Sequence, residues 1–134
     1  MTNILILDDD DTFRALMREF LKFNIHSNNY EASSGESGYE YAIKYSIDLF
    51  LVDLQMDGID GIEFISMIRK LEQYQKQPIL VVSGQEHDDF RLAAKTVGAT
   101  GFINKPVDFR MLGIVIEASL NKWQKELSKQ VTSG

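Results

Sequence analysis

The chain has 134 residues, 44% hydrophobic and 25% charged, which suits one domain with one core. A net charge of −6 and a pI near 4.8 count against direct nucleic-acid binding, which asks for a basic face. The chain has no cysteine, and this removes disulfides, thiolate metal sites and cysteine nucleophiles together. The apolar run after Met1-Thr2-Asn3 is too short for a signal peptide or a membrane span, so a cytoplasmic location follows by default.

Residues 4–7 form a continuous apolar run, which suits a strand buried on both faces, and they lead into Asp8-Asp9-Asp10-Asp11. Phe13, Leu16, Met17, Phe20 and Leu21 follow at helical spacing, with Asp10 or Asp11 as the cap. Residues 27–32 read as an edge strand, because Asn28 and Asn29 are poor strand formers. Tyr39, Ala42 and Ile43 mark a second helix. Residues 49–52 are a second continuous run, ending at Asp53, and Phe64, Ile65, Ile68 and Leu71 mark a third helix. Residues 79–82 run into Ser83, and Phe90, Ala93, Ala94 and Val97 mark a fourth helix. Residues 101–103 lead to Asn104 and Lys105-Pro106. A long last helix carries Leu112, Val115, Ile116, Leu120, Trp123 and Leu127. All these stripes read as core faces turned to a sheet. The domain spans 1–124, and the polar stretch 125–134 is a helix end or a linker.

Five alternations of strand and helix predict an α/β doubly wound, five-stranded parallel sheet with five helices. In such a sheet the carboxyl ends of the strands share one edge, where ligands bind. Asp8, Asp9, Asp53, Ser83 and Lys105 should therefore meet, though they are far apart in sequence. Singly, each has a plainer role as a helix cap, a turn residue or a solvated lysine. Jointly, three carboxylates repel unless some are protonated or a cation joins them, and an all-oxygen set suits magnesium, calcium or manganese. With a fixed ammonium and a hydroxyl beside them, they make a phosphoryl site.

This pattern resembles the receiver domains of two-component response regulators, including the chemotaxis response regulator. The matching pieces are residues 4–10, 48–56, Asp60-Gly61, residues 81–84 and residues 98–106, so the resemblance covers about Asn3 to Asn121. It implies the flavodoxin-like strand order 2-1-3-4-5. It implies that Asp53 accepts a phosphoryl group from a histidine kinase or phosphotransfer protein. It also implies that magnesium (manganese is possible) is held by Asp53, Asp9, Asp8 through water, and the backbone carbonyl of Gln55. Ser83 and Lys105 would bond phosphoryl oxygens, Phe102 would be the switching aromatic, and Lys105-Pro106 would carry a cis bond. The output would be a downstream protein or fused domain reading the face of the fourth helix, fifth strand and last helix. The resemblance names neither kinase nor output, and fits a stand-alone receiver or the front of a longer regulator.

The sequence departs from the family in places. Asp57 stands where proline is usual. Gln55 and Gln85 hold positions that tune dephosphorylation. Phe102 lacks a hydroxyl, and Gly84 leaves the phosphoryl path open. Three other readings compete. Asp8 to Thr12 fits the D-x-D-x-[TV] motif of haloacid-dehalogenase-type phosphatases, with Asp8 as nucleophile. Residues 53–64 imitate an EF-hand-like calcium loop, although its twelfth position is Phe64, with Glu63 one place early. The third is a degenerate receiver used only for docking.

Overall fold

The structure, a computed structural model, describes residues 1–84 and 88–132. In chain order they form β1 (Thr2–Leu7), α1 (Asp11–Asn24), β2 (Ser27–Ala32), α2 (Gly35–Lys44), β3 (Leu49–Val52) and α3 (Gly61–Arg69). A 3-10 turn (Glu72–Tyr74) precedes β4 (Ile79–Ser83), α4 (Asp88–Val97), β5 (Gly101–Asn104) and α5 (Phe109–Thr132). The strands form one sheet in the order β2-β1-β3-β4-β5, with every pair parallel. The polar strand β2 lies at an edge and pairs with β1 alone, so half of its backbone groups can take water in place of a neighbour.

The continuous apolar runs are explained by a core on each face, because successive side chains of a strand point to opposite sides. Leu5, Leu7, Phe50, Val52 and Val81 pack with Ala42, Phe64, Ile65, Ile68 and Ala94 of α2, α3 and α4. The alternate residues Ile4, Ile6, Leu51, Leu80 and Val82 pack with Met17, Leu21, Leu112, Ile116 and Leu120 of α1 and α5. The apolar stripes are narrower than their periodicity suggests. Leu16, Ile43, Phe90 and Leu127, all read from sequence as core positions, are exposed. A helix lying on a sheet buries an arc of roughly 100° or more, and these four fall on its margin.

The acidic start of α1 resolves to one cap. Asp10 adopts extended backbone, and its carboxylate accepts the N–H groups of Thr12 and Phe13 at 2.9 and 3.2 Å, while Asp11 lies within the first turn. At the far end of the chain, α5 continues through residue 132.

The buried Tyr74 had no signal in the hydrophobic pattern. Its ring meets Phe50 edge-on at 5.2 Å. Its hydroxyl accepts the N–H of Ile47 at 3.0 Å and lies 2.6 Å from the carbonyls of both Ala42 and Tyr45, donating its one proton between them. One phenol thus ties the end of α2 to the approach to β3. Tyr74→Phe keeps the ring and strands the Ile47 N–H. The expected cost is about 1–3 kcal/mol, read as a lower urea midpoint at unchanged m-value.

Candidate functional site

The sheet holds the residues just past its strands almost as firmly as those within them. The Asp8 N–H donates to the Ala32 carbonyl at 3.1 Å, Asp53 N–H to Leu7 at 2.9 Å, and Lys105 N–H to Ser83 at 3.0 Å. The parallel ladder therefore runs one residue beyond β1, β3 and β5, and brings Asp8, Asp53 and Lys105 to one edge. Glycine completes the seat. A Cβ on Gly61, at the start of α3, would lie 2.2 Å from the Asp53 carbonyl oxygen, so α3 packs directly on the backbone of the 53–54 peptide. Asp60 caps α3 by accepting the Glu63 N–H at 2.8 Å.

Carboxylate oxygens of Asp8, Asp9 and Asp53 all lie within 4.8 Å of one another. Asp8 and Asp53 are buried and Asp9 is exposed. The Lys105 ammonium is 2.7 Å from an Asp8 oxygen and 3.7 Å from an Asp53 oxygen. Below it, the Phe13 ring centre stands 4.1 Å away, a second attraction for the cation. The other Asp8 oxygen accepts the Asp10 N–H at 2.9 Å, and Asp53 accepts the Gln55 N–H at 3.3 Å. With three carboxylates and one ammonium, the ionised cluster keeps two negative charges in excess. Burial, with Asp8 next, pushes the Asp53 carboxyl above its ordinary range, against the pull of Lys105 and the Gln55 N–H.

The donor set tests whether a divalent cation fits. Oxygens around one magnesium sit at ~2.0–2.1 Å from it, hence about 3–4 Å apart. Three oxygens within 4.8 Å are in reach of one ion, with one of them acting through water. All are carboxylates on an open edge, the chemistry that magnesium prefers.

Ser83 ends β4 at this same edge, buried, in register with Asn104. Phe102 lies two residues earlier on β5, in register with Val81, half-buried, with the Arg91 guanidinium 5.7 Å from its ring centre. The Lys105–Pro106 peptide is cis. Asp57 is exposed, where water screens its charge, and Gly58 after it takes φ +77°, which glycine allows without strain. A Cβ on Gly84 would meet nothing within 4 Å. Gln85 lies outside the described residues. Sequence reasoning missed Arg14. Its guanidinium donates to the Asp8 carbonyl at 2.6 Å and pairs with Asp11 and Glu31. Only the i,i+3 spacing to Asp11 could have hinted at it. The EF-hand reading needs a helix before Asp53, and β3 stands there.

The comparisons agree with this geometry. A family model described as "Response regulator receiver domain" matches residues 4–117. The transcriptional regulatory protein SrrA of Staphylococcus aureus is 31% identical over 130 residues, covering 95% of this chain and 51% of SrrA. The chain thus spans about half the length of the curated relatives it matches. Among solved structures, a CheY-like receiver domain from Methanospirillum hungatei JF-1 aligns at TM-score 0.88 and 25% identity, over 94% of this chain and 98% of that one. The chemotaxis protein CheY4 of Vibrio cholerae aligns at 0.84 and 26%, over 89% and 98%.

A raised carboxyl pKa means that folding penalises the ionised form of Asp53. That cost is fully present above the folded pKa, shrinks as pH falls through it, and is gone below the unfolded value. In EDTA at neutral pH, Asp53→Asn should therefore melt higher than the parent, by on the order of 1 kcal/mol per unit of pKa elevation. The gap should close on acidification. An Asn variant no more stable than the parent would contradict this electrostatic account.

Proposed function

This chain belongs to the response-regulator receiver family, and from that premise we propose that it is the phosphoacceptor domain of a two-component system, with Asp53 taking the phosphoryl group. The observation that carries the reading is the cluster itself: a buried carboxylate, a lysine ammonium 3.7 Å away, and two further aspartates within reach of one ion. Asp53 and Asp9 would hold magnesium directly, Asp8 through water and Gln55 through its backbone carbonyl; manganese suits the same oxygens. Bound there, the cation neutralises charge on the transferring phosphoryl oxygens.

An Asp53 carboxylate oxygen attacks the phosphorus of a phosphohistidine on a histidine kinase or phosphotransfer protein. A P–O bond forms, the P–N bond breaks, and its electron pair leaves with the imidazole. Lys105, already shared by two carboxylates, turns its ammonium to a phosphoryl oxygen, and Ser83 donates its hydroxyl to another. The open space beside Gly84 leaves the approach clear for a bulky donor. The domain is a signalling module, with no substrate turnover of its own beyond gaining and losing this group. No helix among the described residues is long and apolar enough to cross a membrane. We read the site of action as cytoplasmic, without direct nucleic-acid contact.

The new group adds about −1.5 to −2 charge, on the figures for phosphorylated side chains. Ser83 moves toward it, Phe102 swings inward, and the face of α4, β5 and α5 changes. Phe90 and Leu92 on α4, and Met111 and Ile114 on α5, are exposed apolar side chains suited to a protein partner or fused output domain.

Intact mass after incubation with acetyl phosphate and magnesium should show one added phosphoryl group. It should be absent with EDTA and absent in Asp53→Asn. Labelling that survives in Asp53→Asn but is lost in Asp8→Asn would instead favour the phosphatase chemistry. Beryllofluoride with magnesium should shift backbone NMR resonances around Phe102, and unmoved resonances there would remove the switch route.

A further inference from the structure

The opposite edge of the sheet carries a polar feature that phosphoryl transfer does not use. A groove of about 710 Å³ opens between Pro78 and Thr100, where β4 and β5 begin, and the second half of α5. Those strand beginnings are about 13 Å from the Asp53 edge, at ~3.3 Å per strand residue. Four cations line the groove, Arg69, Lys76, Lys122 and Lys129, against the single carboxylate of Glu126. This is an inversion of the chain as a whole, which has 20 acidic and 14 basic residues.

Two of the lining side chains have more hydrogen-bonding capacity than the described residues satisfy. Arg69 Nε and Nη2 donate to the Gly98 carbonyl at 3.1 and 2.7 Å, and Nη1 donates to the Tyr74 carbonyl at 3.1 Å. These partners are neutral, and no carboxylate pairs with Arg69 among the described residues. Two of its five N–H groups remain beyond those bonds. Burial accordingly lowers its pKa to about 10, the sign of a positive charge short of compensation. The second side chain is Trp123, whose indole Nε1 is buried and has no acceptor among the described residues. A buried donor without a partner is unfavourable, and an acceptor oxygen brought to it would satisfy it.

We propose that this groove binds a small polyanion, its phosphate or carboxylate groups seated among Arg69, Lys76 and Lys122, with one oxygen accepting the Trp123 indole N–H. Its volume is that of a small-molecule site, roughly 300–1,000 Å³. The ligand would be held on the strands and helix that also carry Ser83, Phe102 and Lys105, but at their other ends. The site stands independently of the phosphoacceptor reading.

Trp123 is the only tryptophan, so its emission reports from inside the groove. Inorganic pyrophosphate and citrate, titrated in EDTA at constant ionic strength, serve as phosphate and carboxylate probes. At least one should produce a saturable emission change with one-to-one stoichiometry by calorimetry, and should move the indole N–H resonance downfield. The tighter probe identifies the source of the anion. Lys76 and Lys122 are exposed, so the doubly substituted chain, Lys76→Gln with Lys122→Gln, should fold normally. It should bind at least about tenfold more weakly, whereas Asp53→Asn should bind as the parent does. No saturation by about 10 mM of either probe, or equal affinity in the doubly substituted chain, overturns the proposal.

Discussion

The Lys105 ammonium stands between the carboxylates that follow β1 and β3, 2.7 Å from one and 3.7 Å from the other. It supplies one positive charge where two buried negative charges, and a third exposed one, converge. The cluster is under-neutralised because the sheet fixes where these residues go. Each is held by a ladder bond just past its strand, so none can withdraw far from the others. Stability is given up locally, and the rest of the fold must cover it. A fully buried two-sided core of Ile, Leu, Val and Phe does so.

That core also explains why the site is precise. Side chains of β1, β3 and β4 alternate between two helical layers, so no strand can slip by one residue without exchanging its entire inward and outward sets. Register, and with it the meeting of Asp8 with Asp53, is thus fixed by packing on both faces. Gly61 adds a steric limit: the backbone beneath Asp53 has α3 pressed against it with no room for a methyl group. Arg14 braces the other side through the Asp8 carbonyl.

Much of this could be read from the residues, and the reasons differ from part to part. The runs ending at Asp8, Asp53 and Ser83 were legible because doubly buried strands admit almost nothing polar, so the first polar residue marks the strand's end. The asparagines of β2, poor strand formers, suited an edge, while its place in the sheet order came from the family resemblance. The cluster followed from topology once the strands were parallel. What stayed hidden depends on pairs that no period encodes. Tyr74 reaches Ile47 and two carbonyls across 27 to 32 residues, and Arg69 reaches Gly98 across 29. Exposure of Leu16 or Phe90 was equally invisible, because a periodic stripe gives a direction and leaves the depth of contact open. The groove beside Trp123 is assembled from four separate segments, and its cations read singly as ordinary surface residues.

The helices are unequally anchored. α3 sinks Phe64, Ile65 and Ile68 completely, and α5 sinks Leu112 and Ile116, whereas α4 commits one fully covered side chain, the methyl group of Ala94. Apolar burial is worth roughly 25 cal/mol per Å², so lifting α3 or α5 would forfeit several large side chains at about 1.5–3 kcal/mol each. Tilting α4 would forfeit that methyl group and the partial cover of Val97. α2 likewise buries only the methyl group of Ala42 fully, but it adds the half-buried rings of Tyr39 and Tyr41, so α4 has the thinnest apolar footing of the five helices and yields at the least apolar cost.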